Sequence, residues 1–325
     1  MTVREQVLRA LEAHRGEVVS GGALSADLGV SRQAVWKAIT ALRADGLEID
    51  SVAGEGYRLR ADDDSLTADG VQALLHTQIL GREVLVLPEV SSTNTVMKRE
   101  YASSCPEGFA LLALRQNAGR GRLGRSFVSP DGGMYLTVLL RPALTLDRLH
   151  FLTIAAAVAV CRAIQDTCGF LPGIKWVNDV LQDGKKLCGI LTEASIVGET
   201  GGLDYVIVGI GINLHFDAEA APELAGIVGS LGDFCEKVPR RAELTAAVLT
   251  RFEELYLYLK SGDFAPVISA YRALLCCIGQ KILVVENGTE TPAVCDGING
   301  EGHLLVTMGD GSRRELQTGE ISIRI

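Results

Sequence analysis

The chain has few of the features by which catalytic or metal-binding sequences usually declare themselves. Its eight cysteines form no C-x-x-C and no C-x-x-H, and His14, His76, His150, His215 and His303 are scattered. A structural zinc site is therefore not expected; reduced, packed cysteines are. Long apolar runs are missing as well. Mean hydropathy is +0.22, yet the longest run, Phe151 to Cys161, ends at Arg162 after eleven residues, too short to span a bilayer and suited to a buried core helix. Met-Thr-Val-Arg-Glu-Gln at the start has no apolar segment behind it, so no secretory signal is visible and a cytoplasmic, membrane-free protein is expected. Surplus positive charge is absent too. The net charge is -9, so any nucleic-acid contact must come from a local patch working against the field of the whole. No internal repeat or low-complexity tract is present.

What is there is enough for real cores. Hydrophobic residues are 47% and charged residues 22% of 325, which fits two or three domains. In residues 1 to about 60, Val3, Val7, Leu8 and Leu11 recur at helical spacing. A short helix, a turn at Gly29 and a second helix capped by Ser31 follow, with Val35, Ile39 and Leu42 as the buried stripe. Two strand-like pieces, Glu48 to Val52 and Tyr57 to Arg60, complete a winged-helix arrangement. Ala61-Asp62-Asp63-Asp64-Ser65 is a charged break and a linker candidate. Strands are then expected at Glu83 to Pro88, Phe109 to Gln116, Met134 to Leu140, Gly173 to Trp176, Leu187 to Thr192 and Tyr205 to Ile212. Helices are expected at Thr93 to Ser103, Leu146 to Thr167 and Arg240 to Ser261. Short strands with Gly and Asn turns close the chain: Gln280 to Glu286, Thr291 to Gly297, His303 to Thr307, Arg313 to Gln317 and Ile321 to Ile325. The boundaries expected are 1–64, 65–276 and 277–325.

Gly119 to Arg125 packs three glycines and three arginines into seven residues and spells G-x-G-x-x-G. A dinucleotide fold needs a helix after those glycines, and here Phe127 to Gly133 is turn material leading into another strand. A phosphate-binding P-loop is excluded by the missing Gly-Lys-Ser/Thr ending. What remains is a glycine loop between two strands that carries Arg120, Arg122 and Arg125. Its backbone can approach an anion and its guanidinium groups can neutralise one. The plain alternative is a solvated basic loop.

Three further segments weigh against that alternative. Ser91-Ser92-Thr93-Asn94 closes one strand and opens a helix; it is either an N-cap or a cluster of small polar groups for a neutral polar ring. Lys175-Trp176-Val177-Asn178-Asp179 and Lys185-Lys186-Leu187-Cys188-Gly189 form a strand, a turn and a strand with basic groups on both sides. Gly209-Ile210-Gly211-Ile212-Asn213 is a buried strand whose glycines permit close approach of a ligand or another element. Together and in this order, the Ser-Thr-Asn, the Gly-Arg-Gly-Arg-x-Gly-Arg loop, the Lys-Trp-x-Asn-Asp, the Lys-Leu-x-Gly-Ile-Leu and the Gly-Ile-Asn resemble the biotin protein ligases. The winged helix in front and the small β domain behind make the chain similar to the bifunctional class that joins a biotin ligase to a biotin operon repressor. Val177 stands where the family has proline, and Phe127 where it has tryptophan.

The resemblance implies an α+β multidomain fold: a winged helix-turn-helix, a central mixed α/β ligase domain of the class II synthetase-like kind, and a small SH3-like β-barrel. It implies that biotin and ATP, with Mg²⁺, yield biotinyl-5'-AMP and pyrophosphate. The biotin then passes to a lysine of a biotin carboxyl carrier protein, a subunit of acetyl-CoA carboxylase. The nucleophiles belong to the substrates, so no Ser-His-Asp triad is needed, and none is visible. Carried over residue by residue, Ser92, Thr93, Asn94, Gln116, Arg120, Gly121, Arg122, Lys186 and Gly189 bind biotin. Arg120, Arg122, Arg125, Lys175, Asn178, Asp179 and Asn213 serve ATP or the adenylate, with Lys186 and Arg122 catalytic and Asp179 a possible Mg²⁺ contact. Operator DNA would be read by Ser31, Arg32, Gln33, Lys37 and Arg43, although residues 1–61 hold 8 basic and 8 acidic side chains. A ligand-promoted homodimer is also implied. A non-enzymatic biotin-sensing transcription factor and a lipoate or octanoate ligase of the same superfamily remain alternatives.

Overall fold

The computed structural model describes residues 2–197, 202–216, 219, 221–286, 288–317 and 320–323. Helix α1 (Val3–Ala13) opens with a capping box between Thr2 and Glu5. Helices α2 (Gly21–Asp27) and α3 (Arg32–Ala44) follow, the second capped by Ser31 Oγ, which accepts from the Ala34 amide at 3.1 Å. The hairpin β1 (Ile49–Val52) and β2 (Gly56–Leu59) is extended by a bridge from Val19 to Tyr57. Val7, Leu8, Leu11, Leu24, Val35, Ile39 and Leu42 form a hydrophobic core of this unit's own. The helix-turn-helix and wing stand as the sequence pattern implies.

The expected linker is a pinned strap. Asp63 is buried; its carboxylate accepts from the Glu48 and Ser65 amides, and Arg15 holds the Arg60 and Asp63 carbonyls. Asp64 takes Arg241 through both backbone and guanidinium, and Arg240 reaches Glu12 of α1. A run of acidic residues reads as solvated spacer until the arginines that meet it, far along the chain, are known.

The middle of the chain builds a seven-stranded sheet. Its strands are β3 (Val84–Val90), β4 (Ala110–Gln116), β5 (Met134–Leu140), β6 (Gly173–Lys175), β7 (Asp179–Gln182), β8 (Lys185–Ile196) and β9 (Leu203–Ile212), in the spatial order β3-β4-β5-β9-β8-β7-β6. Only β3 and β4 run parallel. On one face, Met134, Leu136 and Val138 of β5 and Val206, Val208 and Ile210 of β9 meet helices α6 (His150–Cys168) and α7 (Arg241–Ser261). Tyr135, Thr137, Ile207, Gly209 and Gly211 alternate to the other face, where the functional groups gather. Helix α6 is long and apolar enough to cross a membrane, but 72% of its apolar window is buried inside the fold, which makes it a core helix.

Three elements differ from expectation. The helix from Thr93 is one α-turn, α5 (Thr93–Val96), continued by a π-helical turn at Met97–Tyr101 in which the Ala102 amide reaches back to the Met97 carbonyl. Helices α4 (Ala68–Leu74) and α8 (Ala265–Leu274) were not expected; each is short, with three or fewer buried apolar positions to mark its period. Strands β10 (Lys281–Glu286), β11 (Thr289–Ile298), β12 (Leu304–Met308), β13 (Arg313–Leu316) and β14 (Glu320–Ile323) form a five-stranded antiparallel sheet in the order β13-β12-β11-β10-β14. The expected closed barrel is not found: among the described residues β13 and β14 remain edges. Of the last expected strand, Ile321 to Ile325, residues 324–325 lie outside the described residues. Ile282, Val284, Cys295 and Val306 of this sheet belong to the same hydrophobic cluster as α6 and the central strands.

Candidate active site

A cleft of about 930 Å³, open mouth included, lies on the functional face between α5, the glycine–arginine loop and β7–β9. It brings together nearly every residue singled out from the sequence: Ser92, Thr93, Asn94, Gln116, Arg120, Gly121, Arg122, Arg125, Lys175, Asn178, Asp179, Lys186 and Gly189 all line it. Asn213 does not. Its side-chain nitrogen donates to the Gly229 and Lys186 carbonyls at 3.1 and 3.4 Å, and its backbone joins Leu187 to Leu231. It ties the end of β9 to the following segment.

The inner end of the cleft is small, polar and fixed. The Thr93 amide donates to Gln116 Oε1 at 2.8 Å, and Gln116 Nε2 donates to Ser129 Oγ at 2.8 Å. Asn94 is 3% exposed. Its Nδ2 donates to the Leu191 carbonyl (3.2 Å) and Glu193 Oε2 (2.9 Å), and its Oδ1 accepts from Thr137 Oγ1 (2.7 Å). Gly209 makes this possible: a Cβ there would stand 2.2 Å from Asn94 Oδ1. Tyr135 closes the wall, its hydroxyl donating to the Pro130 carbonyl at 2.7 Å. Burial first, and Asp131 second, push its phenol well above the ordinary tyrosine range, so it remains a protonated donor.

The outer end is cationic. Five cations line the cleft (Arg120, Arg122, Arg125, Lys175 and Lys186) against one carboxylate, Asp179. Lys186 Nζ sits 2.7 Å from Asp179 Oδ1, which Asn178 Nδ2 also approaches at 3.2 Å. Arg122 Nη1 donates to Asn178 Oδ1 at 2.9 Å. The Asn-Asp pair thus aims two cations from different segments at one place. The Trp176–Val177 peptide is cis, and the Trp176 indole donates to the Gly302 carbonyl at 3.1 Å, joining this segment to the C-terminal sheet.

The loop itself is a tight hairpin. The Gly121 amide meets the Arg125 carbonyl, the Phe127 amide meets the Gly119 carbonyl, and Arg120 bridges Ser126. The chain passes from β4 to β5 with one 3-10 turn at Arg122–Gly124 and no helix, so the dinucleotide pattern is incidental. The Phe127 ring rests on Gly189 and Gly211, which face each other across β8 and β9, with Lys186 Nζ 6.0 Å from the ring centroid. Sequence reading missed Glu193, Tyr135 and Thr137 as contributors. Nothing local marks them; only strand pairing brings Thr137 and Glu193 to Asn94 and Tyr135 to the same cleft.

On the N-terminal unit, Arg32, Gln33 and Lys37 are exposed along α3, while Ser31 caps that helix. Arg43, also exposed, donates to the Ile49 carbonyl and Ser51 Oγ and so braces the wing. Trp36, also missed, is 55% exposed between Gln33 and Lys37.

Comparison with known proteins agrees with this geometry. Residues 86–213 match the biotin/lipoate A/B protein ligase family and residues 3–58 match an HTH domain. The bifunctional ligase/repressor BirA of Bacillus subtilis is 34% identical over 316 residues, 96% of each chain. That of Escherichia coli is 30% identical over 319 residues, 95% of this chain and 94% of its own. The biotin protein ligase from Aquifex aeolicus in complex with biotin and ATP superimposes with a TM-score of 0.65 at 29% identity, covering 75% of this chain and 99% of its own. The chain belongs to the bifunctional ligase/repressor family, with a helix-turn-helix unit ahead of a biotin ligase catalytic fold.

Proposed function

We propose that the chain activates biotin with ATP in this cleft and transfers it to a lysine of a biotin carboxyl carrier protein. The observation that carries the reading is the polarity of the cleft: a neutral, rigid hydrogen-bonding end beside a cluster of five cations. That division suits a ligand with an uncharged polar ring at one end and a carboxylate at the other. In the first step a carboxylate oxygen of biotin attacks the α-phosphorus and pyrophosphate leaves. In the second, the carrier amine attacks the acyl carbon and AMP leaves. Both steps bring anions together or build charge on phosphate oxygens. Lys186 and Arg122 would supply the compensating charge, with Arg120, Arg125 and Lys175 around them. Thr93, Asn94 and Gln116 would orient the ring, with Ser92, Gly121 and Gly189 shaping its surroundings.

The donor set fits a Mg²⁺ that arrives with the nucleotide. Among the described residues no group of three or more His, Cys, Asp or Glu could hold an ion, and Asp179 is the only carboxylate lining the cleft. Mg²⁺ characteristically takes one or two carboxylates and keeps its phosphates and waters; bound with ATP it would neutralise phosphate charge. Asp179 would meanwhile hold Lys186 in place until the nucleotide draws it away.

The helix-turn-helix would bind operator DNA through Arg32, Gln33 and Lys37, with Trp36 on the same exposed face. We further propose boundaries at 1–64, 65–276 and 277–325, a cytoplasmic location, and a dimer promoted by the adenylate. Beyond Gly189, which pairs with Asp179 at the start of β7, the outer edge of β8 meets no strand among the described residues, and it leads to exposed Ile196 and Val197. Such an edge supports pairing with a second copy or with a carrier domain. The test is transfer: with biotin and Mg-ATP, a purified carrier domain should gain one biotin on its lysine. Transfer of lipoate or octanoate instead would redirect the substrate assignment. Ligand binding with no transfer would make the protein a sensor.

A further inference from the structure

Glu193, on β8, is 18% exposed in its side chain and uses both carboxylate oxygens. Oε2 accepts from Asn94 Nδ2 at 2.9 Å; Oε1 lies 3.3 Å from Lys98 Nζ and 3.6 Å from Arg120 Nη1. One carboxylate therefore joins the strand, the helix that carries Asn94 and the glycine–arginine loop. Consider the two orientations of the Asn94 amide. As placed, both of its N–H groups meet acceptors, the Leu191 carbonyl and Glu193, while Oδ1 takes the Thr137 hydroxyl. Reversed, Oδ1 would face those same two acceptors, one of them charged. The Thr137 hydroxyl can donate or accept, so it does not choose. Glu193 and the Leu191 carbonyl do. The only hydrogen-bonding capacity left on the Asn94 side chain is then a lone pair on Oδ1.

We propose that Glu193 is a positioning residue that sets the ring specificity of the site, by holding Asn94 so that it offers the cleft an acceptor and never a donor. The matching ligand group is a ring N–H, as in a cyclic urea. The inference rests on the biotin reading and deepens it. Through Oε1, the same carboxylate draws Arg120 toward the strand and couples the loop to the ring end of the site.

The experiment compares the full chain with Glu193→Ala and Glu193→Gln by calorimetric titration with biotin and with ring-N-methylated biotin, followed by steady-state adenylation. Circular dichroism and a thermal melt establish that each variant is folded. Glu193→Ala should weaken biotin by roughly ten- to a hundredfold, the range for a hydrogen bond to a charged group. It should also shrink the preference for biotin over the methylated analogue, and raise KM for biotin while KM for ATP stays within about twofold. Glu193→Gln keeps one acceptor and should fall between wild type and Ala. Wild-type affinity in a folded Glu193→Ala overturns the proposal. So does a fall in kcat, or a rise in both KM values, with the analogue preference intact, since that is a structural effect alone. Absence of biotin binding by the wild-type chain overturns the biotin reading, and with it this proposal.

Discussion

Replacing Gly209 by alanine adds one methyl group to a central strand, yet it should damage both the fold and the site. An ideal Cβ at Gly209 stands 2.2 Å from Asn94 Oδ1, 2.9 Å from its Cγ and 3.1 Å from its Nδ2, where ordinary contact begins near 3.4 Å. Either the strand or Asn94 must move by about 1 Å, a large displacement in a close-packed interior. The strand is held on both sides, by β5 and β8, so Asn94 yields. Its retreat strips the Thr137 hydroxyl, which is fully buried, of its acceptor, and loosens the bonds to Leu191 and Glu193. A buried polar group left unpaired costs about 1–3 kcal/mol and overpacking about the same, so a loss of about 2–6 kcal/mol is expected. Biotin affinity should fall at least about tenfold, since the ring would meet a displaced amide. Gly189→Ala is the control. The atoms nearest its Cβ are the edge of Phe127 and the flexible end of Lys186, at 3.1–3.2 Å, and it should cost less than about 1 kcal/mol. Urea denaturation of the two variants, with biotin titration of Gly209→Ala, decides the matter. Equal behaviour of Gly209→Ala and wild type, or a greater loss of stability from Gly189→Ala, would refute the reasoning.

Three other substitutions follow from the same geometry. Lys186→Ala removes the cation beside Asp179 and should slow adenylation by about 10²–10³-fold, measured as pyrophosphate release, with a much smaller change in biotin affinity; a loss under about threefold would contradict the role given to Lys186. Glu253 is buried and accepts from the backbone amides of Gln78, Ile79 and Leu80 at 2.6–2.7 Å, so Glu253→Gln sets an NH₂ against at least one N–H and should lower unfolding free energy by about 2–4 kcal/mol. At Glu107 burial pushes the carboxyl up, but Lys260 and Tyr256 outweigh it and hold it below the usual carboxylate range. Its contribution is thus present at neutral pH and lost as pH falls through the lowered value. Glu107→Gln should therefore cost about 1–2 kcal/mol at pH 7, and thermal melts should show the gap to wild type closing in acid.

Much of the site was legible because chemistry and local pattern coincide there. Met134–Leu140 was bounded correctly because an apolar stretch broken only by Thr137, between Gly133 and Arg141, leaves little choice. The close approach permitted by Gly209 and Gly211 was readable as well. What approaches them was not: Asn94 and Phe127 arrive from more than 80 residues away, through a sheet in which β9 pairs with the non-consecutive β5. Asn213 is similar: its motif was readable, whereas the Gly229 and Lys186 carbonyls that its side-chain nitrogen meets were not. The C-terminal strands were recognisable from their alternation and turns, whereas closure into a barrel depends on edge pairing between β13 and β14, which alternation does not encode. The contacts of the acidic strap and of Arg43 were hidden for the same reason, since their partners lie on other elements.

The central claim is that this cleft joins a carboxylate to an adenylyl group. The most direct test is to incubate the purified chain with biotin and Mg-ATP, with no carrier present, and to analyse the protein-bound fraction by mass spectrometry while following pyrophosphate. The account predicts biotinyl-5'-AMP retained on the protein and pyrophosphate released only when biotin is present. Bound biotin with no adenylate and no pyrophosphate would contradict it.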